Sequence, residues 1–217
     1  MEQNVKTVLI TGGASGMGLR LGECYAKEGA NVVLADINQE ALNTCVNEIR
    51  TYHKNVIGVK VDVRIYAEVL AVRNAAVEQF GSIDILINCA GGSETRIFNH
   101  HDVFYENPIE IYDFGIDVNL KGALYFDHAV MQQMAKQNSG VIIHLGSITG
   151  EEGSENAVAY AASKSALMTG VTKSIAQAGA DHNIRCVKSS TSATTSNSRP
   201  MLMPLSSIRP TSWLFLP

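Results

Sequence analysis

Short apolar runs alternate along the chain with longer stretches in which apolar residues recur every three or four positions. The runs at 5–11, 31–35, 56–61, 83–88 and 140–145 are rich in Val and Ile, and residues 184–187 begin a sixth. They are continuous rather than alternating, the pattern of strands covered on both faces of a parallel sheet. Between them, helical periodicity predicts helices over 16–28, 39–52, 65–80, 108–137 and 157–178. Gly29 and Gly81 stand where a helix end needs a left-handed residue, and Pro108 suits a first turn. Regular strand–helix alternation implies a parallel sheet with right-handed crossovers. The expected fold is α/β, a doubly wound Rossmann-type domain of six strands over residues 1–187.

The last stretch breaks this pattern. Residues 188–217 hold eight Ser, four Thr and four of the chain's five Pro, with no Asp, Glu or Gly. Lys188, Arg199 and Arg209 make it basic, although the whole chain carries a net charge of −4. Such a composition cannot extend a parallel sheet, so an irregular or disordered tail is expected.

Composition narrows the functional classes. A length of 217 residues fits one domain with a substantial core. The mild negative charge argues against a nucleic-acid partner. The apolar runs are well short of the ~20 residues a membrane span needs. Residues 1–4 lack a basic segment leading into an apolar one, so a cytoplasmic location is expected. Cys24, Cys45, Cys89 and Cys186 are scattered with no CxxC pair, which favours free thiols over disulfides or zinc.

Candidate chemistry begins with TGGASGMG at 11–18, between the first strand and the first helix. A tight glycine turn at that junction lets backbone amides and the helix N-terminus face a dinucleotide pyrophosphate. Gly12, Gly16 and Gly18 are the positions where a side chain would obstruct the turn, the phosphate or helix packing. Asp36 ends the second strand, eighteen residues beyond Gly18. A carboxylate there accepts hydrogen bonds from ribose hydroxyls and repels a 2′-phosphate. No basic residue stands at Ala14, Ser15 or Met17 to hold that phosphate, so NAD is favoured over NADP. A plain N-cap role for Asp36 is the alternative, although Asn38 could serve instead.

Tyr160 and Lys164 lie four apart in a helical segment and so project from one face. An ammonium beside a phenol favours the phenolate, which makes proton exchange with a substrate hydroxyl feasible near neutral pH. Ser147 lies just past the fifth strand, at the sheet edge where such folds bind ligands. Its hydroxyl can donate to a substrate oxygen or simply cap a loop. Asn119, inside an otherwise apolar helix, needs a buried partner, either a water or a core hydrogen bond. His100, His101 and Asp102 invite a metal reading. Adjacent residues point different ways, however, so a solvated loop bordering the substrate pocket is expected instead, with no metal.

Together these residues resemble the short-chain dehydrogenase/reductase family over about residues 5–187. The likeness rests on TGGASGMG, Asp36, Asp62-Val63, Asn88-Cys89-Ala90-Gly91, Asn119, Ser147 and YAASK at 160–164. It implies that Tyr160 is the general acid/base, that Lys164 binds the nicotinamide ribose and tunes the tyrosine, and that Ser147 polarises the carbonyl. It implies that Asn119 holds a relay water. It places Asp62 and Val63 against the adenine, Asn88, Ala90 and Gly91 near the cofactor, and Ser15, Gly16 and Met17 in the cofactor turn. It also implies a homodimer through the helices at 108–137 and 157–178, with a larger tetramer disfavoured. The expected activity is NAD-dependent interconversion of a small-molecule secondary alcohol and its ketone. After Cys186 the family's Pro-Gly turn and lid do not follow. The alternative is therefore an impaired remnant that at most binds NAD.

Overall fold

The computed structural model describes residues 5–189. Six parallel strands carry the fold: β1 (Thr7–Thr11), β2 (Asn31–Asp36), β3 (Val56–Lys60), β4 (Ile85–Asn88), β5 (Gly140–Leu145) and β6 (Ile184–Ser189). Their order is β3-β2-β1-β4-β5-β6, the doubly wound arrangement expected. The chain winds outward from β1 to β3, then returns to lay β4 against the other edge of β1. The winding direction reverses between β1 and β4, so their carboxyl ends open a crevice there. Thr11 pairs with Asn88, and Asn88 with His144, so three strands finish level at the site.

Continuous apolar strands are explained by the layers they separate. Val8, Ile10, Val32 and Leu34 face α1 (Gly16–Lys27) and α2 (Gln39–Arg50), which contribute Tyr25, Leu42 and Ile49. Leu9, Val33, Leu86 and Ile142 face α3 (Tyr66–Phe80) and the later helices, meeting Val69, Val72, Phe126 and Met134. Asn38 caps α2 by accepting from the Ala41 amide, which leaves Asp36 free for other work.

The two long predicted helices are present but not uniform. The first runs as α5 (Ile109–Ile116), a π-helical turn at Asp117–Lys121 and α6 (Gly122–Gln137), after a short α4 (Glu94–Phe98) that periodicity did not reveal. The second follows a short α7 (Thr149–Glu152). It runs as α8 (Val158–Ala166), another π-helical turn at Leu167–Val171 and α9 (Thr172–Gly179). Both wide turns sit within five residues of candidate site residues, Asn119 and Lys164, and π-bulges are often found at functional sites.

Strand β6 corrects the expected boundary at 187. Lys188 and Ser189 continue the ladder opposite His144 and Leu145, because an edge strand can turn a lysine to solvent while its backbone still pairs. The remainder of the expected tail, 190–217, lies outside the described residues. No described helix is long and apolar enough to cross a membrane.

Candidate active site

The glycine turn is shaped by close backbone approach. Gly12 has φ +64°, and a Cβ there would lie 2.9 Å from the Ala90 backbone. At Gly18 a Cβ would fall 2.2 Å from the Gly12 carbonyl oxygen, which no side chain could tolerate. Gly16 departs from expectation. Nothing obstructs a Cβ there, and glycine is required by its φ of +52° alone. Ser15 is the N-cap of α1 but makes no side-chain capping bond, and the first turn contains no acidic residue. The first amides of α1 therefore face the crevice with neither a cap nor a competing carboxylate, which suits a pyrophosphate. Met17 is 51% exposed beside them.

Asp36 is bound into this turn. Its Oδ2 accepts from the Ala14 amide at 3.0 Å and its Oδ1 from the Asn38 amide at 3.0 Å. The carboxylate is thereby fixed at the end of β2, next to the turn.

The Asn88–Gly91 loop is tied to the same place. Thr11 Oγ1 accepts from the amides of both Cys89 and Ala90 at 3.0 Å, joining the ends of β1 and β4. Asn88 turns its side chain inward and donates to Asp127 Oδ1 at 2.8 Å. Asp127 also meets Nε2 of His144 at 3.0 Å, and His144 Nδ1 lies 2.9 Å from Thr172 Oγ1. All four groups lie beneath the crevice, where they brace the carboxyl ends of β4 and β5.

Tyr160 and Lys164 share a face of α8, with Nζ 5.6 Å from the tyrosine ring centroid. Lys164 is buried and donates to the Leu145 carbonyl at the end of β5, at 2.8 Å. Burial pushes its pKa below the ordinary lysine value, and the same burial pushes the neighbouring Cys89 thiol up to about 12. Ser147 follows β5, and its Oγ accepts from the Thr149 amide at 3.2 Å. A hydroxyl that accepts one bond keeps its proton to donate, so the loop-capping and substrate roles are compatible.

Asn119 finds its partners in backbone. Its Nδ2 donates to the carbonyls of Gly92 and Gly115, at 3.0 and 2.9 Å, while Oδ1 accepts from the Gly92 amide at 2.9 Å. Both donors are spent, and only a lone pair on Oδ1 is left for a water. Gly91 has room only for hydrogen, since a Cβ would lie 2.2 Å from that Oδ1. Asp62 is gripped by Arg64, whose Nε and Nη2 reach both carboxylate oxygens. That guanidinium holds the Asp62 carboxyl below the usual carboxylate range. Val63 packs on Gly122 at the start of α6, where a Cβ would come within 2.7 Å of its methyl. His101 and Asp102 are exposed, and no group of three or more potential metal ligands exists among the described residues.

The sequence model of the short-chain dehydrogenases matches residues 6–202. The chain belongs to the short-chain dehydrogenase family. It is 38% identical to oxidoreductase UcpA of Salmonella typhimurium over 181 residues, 83% of this chain and 66% of that protein. It is 35% identical to 2-dehydro-3-deoxy-L-rhamnonate dehydrogenase (NAD(+)) of a Sphingomonas species over 170 residues, 78% of this chain and 64% of that one. The chain thus spans just under two thirds of the length of these relatives. Among solved structures, a point variant of actinorhodin polyketide ketoreductase with NADPH superimposes with a TM-score of 0.75 at 29% identity, covering 84% of this chain and 68% of the ketoreductase. The family is one of oxidoreductases whose fold binds a nicotinamide cofactor.

Arg64, Asp127 and His144 are supporting residues that motif reading passed over, and Thr11, although it opens the glycine motif, was given no role of its own. Two had a signal: a histidine inside an apolar strand and an aspartate inside an apolar helix are polar groups forced into a core, where they need each other. Arg64 had none.

Proposed function

We propose that this chain is an NAD-dependent oxidoreductase that interconverts a secondary alcohol and a ketone, with Tyr160 exchanging the proton. The observation that carries this is the convergence on the Asn88–Gly91 loop. Ala90 touches the glycine turn at Gly12, while Cys89 lies in the field of the Lys164 ammonium, which stands beside Tyr160. The turn that would hold a nucleotide and the residues that would exchange the proton therefore meet at one loop.

The bound nicotinamide supplies or takes the hydride. Lys164 places a buried cation beside the Tyr160 ring, and Tyr160 can accept the alcohol proton during oxidation and return it during reduction. Ser147 donates to the substrate oxygen and orients it. Asn119 holds the Gly91-Gly92 backbone in place, and the remaining lone pair on its Oδ1 can accept from a relay water. Asp36 selects NAD over NADP by accepting ribose hydroxyls where a 2′-phosphate would meet a fixed carboxylate. The NAD(+) in the Sphingomonas relative's name supports this choice, and the NADPH in the ketoreductase structure makes it worth testing. Asp62 and Val63 border the adenine. Two copies pair through the helices at 108–137 and 157–178, where Leu124 is 38% exposed; sedimentation equilibrium reads this directly.

Reduction of NAD and of NADP over a panel of secondary alcohols, with Tyr160→Phe as control, tests the reading. Turnover with NAD that Tyr160→Phe abolishes supports it. Nucleotide binding without turnover on any alcohol or ketone overturns the dehydrogenase assignment, and a preference for NADP overturns the role given to Asp36.

A further inference from the structure

Glu94 is the first residue of α4 and is fully buried, 0% exposed. Its partners are the first amides of the helix that carries Tyr160. Oε1 accepts from the Ala159 amide at 2.9 Å, and Oε2 accepts from the Tyr160 amide at 3.1 Å, with a longer contact of 3.3 Å from that amide to Oε1. Helix α8 has no cap of its own. Ala157 stands at its N-cap without a side chain able to bond, and its first turn holds no acid. Early helical amides left unpaired in a buried setting would be costly, and a carboxylate at a helix N-terminus is favoured by the dipole as well as by the hydrogen bonds. Helix α5 closes over this contact at Gly115, where a Cβ would come within 2.8 Å of Ala159 Cβ and 3.3 Å of the Glu94 Cβ and Cδ.

We propose that Glu94 caps α8 from another element and is a positioning residue for Tyr160. The glutamate joins the loop after β4 to the amide of Tyr160 itself. That loop is already fixed to Thr11 at Cys89-Ala90 and to Asn119 at Gly92. The position of the phenol relative to the cofactor loop is therefore set by a carboxylate that touches neither cofactor nor substrate. The proposal rests on the dehydrogenase reading only where it speaks of turnover. The capping itself stands apart from it.

The test compares Glu94→Ala, Glu94→Asp and Glu94→Gln with the parent chain. Hydrogen exchange at the Ala159 and Tyr160 amides is expected to quicken roughly tenfold in Glu94→Ala, the loss of a cap. The Tyr160 ring resonance, assigned with Tyr160→Phe, is expected to move. kcat is expected to fall about 10- to 100-fold, the scale of a misplaced reacting group, with NADH affinity within about threefold of the parent. Gln keeps one acceptor of the same reach but sets its amide nitrogen against an N–H, so it is expected to restore part of kcat, whereas the shorter Asp restores none. Unchanged exchange or an unmoved tyrosine signal in Glu94→Ala overturns the proposal. So does a parallel loss of kcat and nucleotide affinity that Gln fails to rescue, which would mark a purely structural role. If Glu94→Ala does not fold, Glu94→Asp carries the same comparison. If the parent chain turns over no substrate, the dehydrogenase reading fails, while exchange and the ring signal still decide this one.

Discussion

Lys164→Met is expected to stabilise the protein while abolishing turnover. Lys164 is only 6% exposed, and its ammonium meets a carbonyl, Leu145 O, rather than a carboxylate. No ion pair among the described residues includes it. Burying an ammonium costs several kcal/mol. One charge-assisted hydrogen bond returns about 1.5–3 kcal/mol of that. Methionine keeps an unbranched stem of similar reach and removes the charge, so the variant should gain on the order of 1 kcal/mol. For a chain of this size, that raises the melting temperature by about 2–4 °C.

The pH dependence gives the sharper check. Burial disfavours the charged form, so the folded-state pKa lies below the unfolded value of 10.5. Below the folded pKa both states are protonated, and the whole penalty falls on the parent. As pH rises through the folded pKa toward 10.5 the folded lysine is already neutral and the penalty fades. Melting curves of both proteins from pH 7 to 10.5, followed by circular dichroism, should therefore converge as pH rises. A variant less stable than the parent at pH 7, or a gap that stays constant across the range, refutes the reasoning.

Asp127→Ala strands the Asn88 amide and His144 Nε2, two buried groups that it now satisfies, and should cost about 3–5 kcal/mol in urea unfolding. A loss under about 1 kcal/mol would show that the network contributes nothing. Gly18→Ala puts a Cβ against the Gly12 carbonyl and should weaken NADH binding by at least roughly tenfold, read by nucleotide fluorescence. Gly16→Ala has open space and should cost only about 1 kcal/mol of stability from its backbone angle. The thiols of Cys89 and Cys186 are both raised to about 12 by burial. Both should stay unalkylated by iodoacetamide at pH 8 and react only in denaturant, as intact mass will show.

The legible parts of this protein are those that answer to something outside the chain. On the proposed reading, a pyrophosphate demands glycines at one strand–helix junction, a ribose demands a carboxylate at the next strand end, and a proton transfer demands Tyr160 and Lys164 on one helix face. These demands fix residue types at fixed spacings, and the spacings survive in sequence. The layers were legible for a related reason, since strands covered on both faces cannot alternate. Asn119 was flagged as a buried polar residue, but its partner, the Gly92 backbone, comes from a loop 27 positions away that no periodicity joins to it. Glu94 was silent because it sits in a segment without repeat or motif, and its purpose is defined by two amides on a helix 65 residues downstream. A residue that serves another residue can be of any type its partner tolerates, and only the fold names the partner. The same logic explains the two π-helical turns, since no composition marks them. Each lies within five residues of a side chain that must be aimed, Asn119 in one and Lys164 just before the other, so the extra residue is best read as the adjustment that aims it.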